Sequence, residues 1–239
     1  MEDSDWEHVH LALCNDRFES NWPDFMSNME VLKLADSFRR QGLIDDFYRE
    51  YMGVMTAGEN KAFMSSMFKY YEEDDDEFIA KRRRLENIVI FDPAKTAKAT
   101  SDDTAIVGLG IDLDAPAVYV RDIVAGKMHP DDIYNEVFNM CERLKAHVIG
   151  VEVTSLNEFI TYPLKTEMVR RGKSYEIVDL KARASKEERI EALRPFYRMG
   201  FIYHNKSCCN QLEGQLISFP HSKKKDVMDA LAYVVVMLS

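Results

Sequence analysis

Four acidic residues stand where the surrounding sequence is apolar, a setting in which a carboxylate is costly. Asp92 ends the apolar run NIVIF, and Glu152 interrupts the valine-rich run VIGVEV. Asp226 and Asp229 open the apolar C-terminal segment, and their spacing of three places them on one face of a helix. A buried carboxylate needs a cation or hydrogen-bond donors beside it. We therefore treat these four residues as one candidate site.

Each acid alone has a simpler explanation, which is an ion pair or a favourable interaction with a helix N-terminus. That explanation fits Asp226 and Asp229 better than Glu152, which lies in the middle of a predicted strand. Together, four carboxylates without neighbouring Cys or His residues form an all-oxygen ligand set, suited to Mg²⁺ or Mn²⁺ rather than zinc. Two such ions hydrolyse phosphodiesters by activating water and neutralising phosphate charge. If the four acids do cluster, they repel one another without metal, so neutralising one should leave the fold intact or stabilise it.

Basic residues follow these acids along the chain. Residues 165–206 hold 11 basic and 6 acidic side chains, although the whole chain has a net charge of −10. An acidic protein with such a segment still presents a basic face to a polyanion. The alternative is ordinary solvated charge. The predicted DNA contacts are Lys181, Arg183, Lys186, Arg189, Lys223, Lys224 and Lys225.

Hydrophobic periodicity predicts the elements that position these side chains. Short apolar runs predict strands at 87–91, 104–112, 115–126, 147–153 and 175–180, with a short extended segment at 201–204. Amphipathic spacing predicts helices at 24–52, 130–145, 156–171, 186–199 and 226–238. Three strands followed by alternating helices and strands indicate an α/β fold with a mixed sheet flanked by helices.

A block of charge divides the chain. Residues 72–84 run from EEDDDEFIA to KRRR, which favours a solvated linker or helix end over a nucleic-acid contact. We expect a helical region over 1–85 and an α/β domain over 86–239. The sequence contains no phosphate-binding loop of the type GxxxxGK[ST], so we expect no ATP hydrolysis from this chain.

The composition limits the class of protein. The chain has 239 residues, of which 46% are apolar, enough for a sizeable core and too many for a disordered chain. No apolar run approaches 18 residues, and the first ten residues are acidic, so neither a membrane span nor a secretory signal is expected. The four cysteines lack CxxC spacing, which favours a reducing, cytosolic compartment.

Several motifs resemble a known family. FDPAKTAKATSDDTAIVG, VIGVEVTSLNEF and KKKDVMDALAYVV are similar to the ribonuclease H-like nuclease domain of large terminase subunits, the DNA-packaging enzymes of tailed phages. KEERIEALRPFYRMGFIYH and QLEGQLISFP resemble the same domain, so the resemblance covers about 86–239. Residues 20–71 resemble the end of the terminase ATPase region. One departure is that the family often has a doubled Asp near the last helix, where this chain has Asp226 and Asp229. Which of the two is the main ligand is left open.

The resemblance implies a metal-dependent endonuclease that cuts concatemeric double-stranded DNA in the host cell cytoplasm. Asp92 would bridge two Mg²⁺ or Mn²⁺ ions, Glu152 would hold one, and Asp226 and Asp229 would complete the ligand set. The portal protein and the small terminase subunit are the implied partners. Two alternatives stay open: a Holliday-junction resolvase, which shares the DxxDAL motif, and a non-catalytic docking module. An actin-like ATP-binding protein is a weaker alternative, because the loop after Asp92 lacks glycine.

Overall fold

The computed structural model describes residues 11–15, 18–53, 62–92, 104–153 and 158–238. Of Asp92, Pro130, Val153 and residues 158–161 only the backbone is described. Within these ranges the chain forms seven strands and nine α-helices. The strands are β1 (Lys69–Tyr71), β2 (Glu86–Asp92), β3 (Thr104–Asp112), β4 (Ala117–Gly126), β5 (Val148–Val153), β6 (Glu176–Lys181) and β7 (Ile202–Asn205).

The strands form one mixed sheet in the order β1-β7-β4-β3-β2-β5-β6. β2, β3 and β4 are antiparallel neighbours, while β5 and β6 continue the sheet parallel to β2. β7 and β1 extend the other edge, parallel to β4. Because β2 lies inside the sheet, between β3 and β5, it is buried on both faces, which explains its continuous apolar sequence.

Nine α-helices in the described ranges surround this sheet. They are α1 (Asn28–Arg40), α2 (Ile44–Glu50), α3 (Asp76–Lys81), α4 (Pro130–Leu144), α5 (Glu158–Arg171), α6 (Lys186–Glu191), α7 (Arg194–Arg198), α8 (Asn210–Ser218) and α9 (Asp226–Met237). No helix among the described residues is long and apolar enough to cross a membrane. All four cysteines are free thiols.

The alternation of side chains along β2 builds a core on each face of the sheet. Ile88 and Ile90 belong to a large core that includes α8, α9 and the N-terminal helices. Val89 and Phe91 point the other way, into a smaller core formed with α4 and α5. The predicted α/β fold, with a mixed sheet flanked by helices and an N-terminal helical segment, is confirmed.

The residues before position 85 share the larger core. Val31, Phe47 and Phe63 are fully buried in it, and β1 is part of the sheet. The packing is therefore continuous across residue 85, where the sequence predicts a boundary between two regions. The division into a helical region over 1–85 and an α/β domain over 86–239 remains a prediction.

The charged block at 72–84 is more ordered than a solvated linker. It contains α3, whose Phe78 is buried against Tyr71 and Tyr119. Glu73 accepts hydrogen bonds at 2.7 and 2.6 Å from Arg121, a buried residue of β4. Of the two predicted alternatives, a solvated linker or a helix end, the block contains a helix end, together with one apolar anchor and one ion-pair partner that the charge pattern does not reveal.

Four further elements differ from the prediction. The helix predicted at 24–52 is divided into α1 and α2, between which Gly42 adopts a positive φ. The helix predicted at 186–199 is divided into α6 and α7, because Pro195 has no N–H to donate to the preceding turn. α8 was missed, and Gly214 in its centre lowers its intrinsic helix propensity. β1 was missed because three residues are too few to show alternation.

Candidate metal and DNA-binding site

Two of the predicted acids lie at the same end of neighbouring parallel strands. Phe91 of β2 pairs with Val151 of β5, so Asp92 and Glu152 are each one residue beyond this pair. Val151 is buried in the smaller core, so Glu152, the next residue, points to the opposite face, where α9 packs. The backbone of Asp92 lies at this carboxyl end of the two strands. Its side chain lies outside the described atoms.

The acids on α9 reach the same place. Nη2 of Arg189 is 2.7 Å from Oδ1 of Asp229 and 3.8 Å from Oε1 of Glu152. One guanidinium nitrogen therefore lies within 4 Å of carboxylates from a strand and from the last helix. The structure brings together Glu152 and Asp229, and Asp226 joins them through Lys186.

Lys186 and Arg189 balance the charge of this cluster. Nζ of Lys186 donates a hydrogen bond of 2.9 Å to Asp226 and lies 3.5 Å from Asp229. Arg189 donates two hydrogen bonds to Asp229, from Nε at 3.0 Å and from Nη2 at 2.8 Å. This fork geometry is the strong form of an arginine–carboxylate pair. The ion pairs considered for single acids are therefore present for Asp226 and Asp229.

Helix α6 places both basic residues. Ser185 caps it, its hydroxyl accepting from the Glu188 N–H while the Glu188 carboxylate accepts from the Ser185 N–H, as the sequence predicts. Lys186 and Arg189 are three residues apart and so share the face that packs on α9. The Arg189 side chain is only 9% exposed, against 32% for Lys186.

Burial shapes the electrostatics of the cluster. Asp226 and Asp229 are 5% and 1% exposed. Burial raises the pKa of Asp229 above its ordinary value, while Lys186 and Arg189 act in the opposite direction. An acid this buried stays charged only because cations lie beside it.

Tyr233 also belongs to the site and was not predicted. It follows Asp229 by one helical turn, and the guanidinium of Arg189 lies 4.9 Å from the centre of its ring. Burial, and then the negative charge of Glu152, raise the pKa of its hydroxyl. The spacing of 226, 229 and 233 on one helix face was a signal that the sequence already contained.

The other predicted DNA contacts are more exposed. Lys181 ends β6 at the same sheet edge as Glu152, and Arg183 follows it, both exposed. Lys223 and Lys224 are exposed in the segment before α9. Lys225 donates a hydrogen bond of 2.6 Å to Glu187. These residues, which follow β6 or precede α9, are here called the basic rim, whereas Lys186 and Arg189 lie inside the acidic cluster.

The donor set suits a hard divalent cation. Within the described residues no group of three Asp, Glu, His or Cys side chains forms a complete metal-binding cluster, and the Asp92 side chain is outside that description. Three carboxylates nevertheless lie beside two side-chain cations, which balance most of their negative charge. Carboxylate oxygens without sulfur or imidazole are the ligands that Mg²⁺ and Mn²⁺ prefer.

The fold is that of a known class of viral proteins. The structure is similar to the human cytomegalovirus terminase nuclease domain, with a TM-score of 0.54 at 9% identity over 73% of this chain and 91% of that one. It is also similar to the P22 large terminase nuclease domain, with a TM-score of 0.52 at 14% identity over 76% and 93%. A manganese-soaked, inhibitor-bound form of the cytomegalovirus domain gives 0.51 at 7% identity over 73% and 91%.

Comparison of the sequence with protein-family models and with curated proteins gives no match. Comparison with solved structures shows that the fold is that of terminase nuclease domains. Its likeness to phage and viral terminase nuclease domains confirms, at the level of the fold, the resemblance seen in the sequence motifs.

Proposed function

We propose that this chain is a metal-dependent endodeoxyribonuclease of a viral DNA-packaging terminase, cutting concatemeric double-stranded DNA by two-metal hydrolysis. One observation carries the proposal. Carboxylates from β5 and α9 converge beside the end of β2, on a fold shared with terminase nuclease domains. The human cytomegalovirus terminase nuclease domain, which has a similar fold, has been solved after soaking with manganese.

Asp92, Glu152, Asp226 and Asp229 would hold two Mg²⁺ or Mn²⁺ ions. When bound, such ions lower the pKa of water and neutralise charge on a phosphate. Arg189 holds Asp229 and lies beside Glu152, so it fixes the relative positions of a strand acid and a helix acid. Tyr233 packs beneath the guanidinium and shields this contact from water.

The basic rim would hold the DNA. Lys181, Arg183, Lys223 and Lys224 are exposed around the acids and suit contacts to phosphates, which carry no base information. We therefore propose cleavage with little sequence preference that weakens as salt is added. Assembly with a portal protein and a small terminase subunit in the host cytoplasm completes the proposal.

A plasmid-nicking assay tests the activity. Supercoiled DNA is incubated with protein and Mg²⁺, Mn²⁺ or EDTA, and we expect nicked and linear products only with metal. Glu152→Gln should lose about 100-fold or more in rate, because Lewis-acid stabilisation is worth several kcal/mol. Asp179→Asn, an exposed acid on neighbouring β6, is the matched control and should cut normally.

Three results would contradict the proposal in different ways. Undiminished cleavage in EDTA would show that the reaction does not need a metal ion. Metal binding without cleavage of any DNA would instead indicate a docking module. A strong preference for four-way junctions over linear duplex would indicate a junction-resolving nuclease.

A further inference from the structure

The first turn of α9 is capped by a side chain from another helix. Lys225 occupies the N-cap position of α9 and makes no side-chain hydrogen bond to the turn. The N–H of Met228 instead donates a hydrogen bond of 3.2 Å to Oε1 of Gln215 in α8. A helix N-terminus leaves its first N–H groups without partners, and an acceptor at this position is normally supplied by the N-cap residue itself.

This contact lies between the two acids of the helix. Met228 stands after Asp226 and directly before Asp229, so its N–H belongs to the turn that carries both carboxylates. Gln215 is 5% exposed, and its amide is therefore committed to the protein interior. The hydrogen bond ties the orientation of the acidic turn to the position of α8.

Helix α8 is itself fixed by the N-terminal helices. The hydroxyl of Tyr48 donates a hydrogen bond of 2.7 Å to the Asn210 carbonyl, and the Arg39 guanidinium donates to the Asn210 side chain. Gly214 allows close packing, since a Cβ there would lie 3.3 Å from Cε1 of Tyr48. Glu213 is fully buried between Arg39 and His204. α8 is thus held rigidly between α1 and α2 on one side and α9 on the other.

We propose that Gln215 is a positioning residue for the nuclease, which sets the placement of Asp226 and Asp229 toward the divalent ions by capping α9 from α8. This inference rests on the proposed function, because it assigns those two acids to metal binding. This role requires no contact of Gln215 with DNA or metal. It acts through the backbone of Met228.

The test compares Gln215→Met, which keeps the volume and removes the acceptor, with Gln215→Glu, which keeps an acceptor. Gln211→Met, on the same helix but without a described hydrogen bond to α9, is the matched control. Three quantities are measured in the full chain: Mn²⁺ affinity by electron paramagnetic resonance, kcat and KM for plasmid cleavage, and amide hydrogen exchange at Met228.

We expect Gln215→Met to lose about 10- to 100-fold in Mn²⁺ affinity, as for other groups that orient metal ligands. Its kcat should fall while KM for DNA stays unchanged, and the Met228 amide should exchange faster. Gln215→Glu should recover most of each loss, and Gln211→Met should behave as wild type. If Gln215→Met does not fold, Gln215→Asn replaces it, since the shorter side chain does not reach Met228.

Wild-type metal affinity and kcat in a folded Gln215→Met or Gln215→Asn protein would overturn the inference and leave the proposed function intact. A wild-type protein that neither binds Mn²⁺ nor cuts DNA would overturn the proposed function. In that case unchanged exchange at Met228 in the variant would also refute the capping role.

Discussion

The acids at the sheet edge are neutralised by side chains, which changes what their removal should do. The sequence predicts that removing one carboxylate relieves repulsion. In the structure Asp229 is paired with Arg189, whose side chain is only 9% exposed. Asp229→Asn should therefore destabilise the metal-free protein by about 1–3 kcal/mol, because the buried guanidinium loses its partner.

A thermal melt in EDTA checks this, with a fall of about 2–4 °C expected for each kcal/mol. Asp179→Asn, which removes an exposed acid, should melt as wild type. A stabilised Asp229→Asn protein would show that repulsion among the acids outweighs the ion pairs.

Lys186 and Lys181 carry the same charge but should have different roles. Lys186 bonds to Asp226, so Lys186→Gln should raise Mn²⁺ affinity several-fold, because a cation then no longer competes for the acids. Lys181 is exposed at the rim, so Lys181→Gln should leave Mn²⁺ affinity unchanged and lower the salt slope of DNA binding by about 1. Calorimetric Mn²⁺ titrations and DNA-binding measurements at several salt concentrations distinguish the two. If Lys186→Gln instead lowered the salt slope and left Mn²⁺ affinity unchanged, Lys186 would be a phosphate contact.

A buried ion pair links α1 to α8. Nε of Arg39 lies 3.8 Å from Glu213, and their side chains are 7% and 0% exposed. Arg39→Met should cost about 3 kcal/mol, because it leaves the buried Glu213 carboxylate with only His204 beside it. The neighbouring Arg40 is 74% exposed, and Arg40→Met should cost within about 0.5 kcal/mol. Denaturant unfolding measures both, and equal effects would show that α1 is held by apolar packing alone.

Periodic elements were predictable from the sequence, and elements defined by distant partners were not. β2, β3 and β4 show apolar runs, and the capping box of α6 is visible in its sequence. β1 exists only through pairing with β7, about 130 residues further along the chain, so no local pattern specifies it. α8 contains Gly214, which lowers the local helix propensity. The glycine allows close packing against Tyr48, a contact that the local sequence does not show.

The candidate site shows the same limit. Local sequence was enough to propose Glu152, Asp226 and Asp229, because acids in apolar surroundings are conspicuous without any partner. The pairing of Arg189 with Asp229, across 40 positions, and the capping of Met228 by Gln215 are properties of tertiary packing. Charge pattern alone placed Arg189 on a DNA groove, because it does not distinguish a solvated arginine from a buried one.

The larger core extends across the whole described chain. Val31, Phe47 and Phe63 pack in it together with Ile90 and residues of α9. A fragment of residues 86–239 should therefore lose its cooperative melting transition, because it exposes the apolar surface that these residues cover. The full chain should melt in one transition. Calorimetry of both proteins is the measurement, and a fragment that melts cooperatively near the full-chain temperature would show that residues 1–85 are an appendage.

Charge is distributed unevenly between the two ends of the sheet. The acids and Lys181 lie at the carboxyl end of β5 and β6, whereas Arg82 and Arg83 precede β2 and so lie at its opposite end. Because the net charge of the chain is −10, we expect DNA to bind only where basic residues cluster.

We expect the double variant Lys181→Gln/Arg183→Gln to lower the slope of log affinity against log salt by about 2, since each lost phosphate contact removes about 0.9. Arg82→Gln/Arg83→Gln removes the same charge from exposed positions at the other end and should leave the slope unchanged. Fluorescence anisotropy with a labelled duplex at several salt concentrations measures both. Equal slopes for the two variants would mean that DNA responds to the total charge of the molecule and that the rim around the acids is not its binding surface.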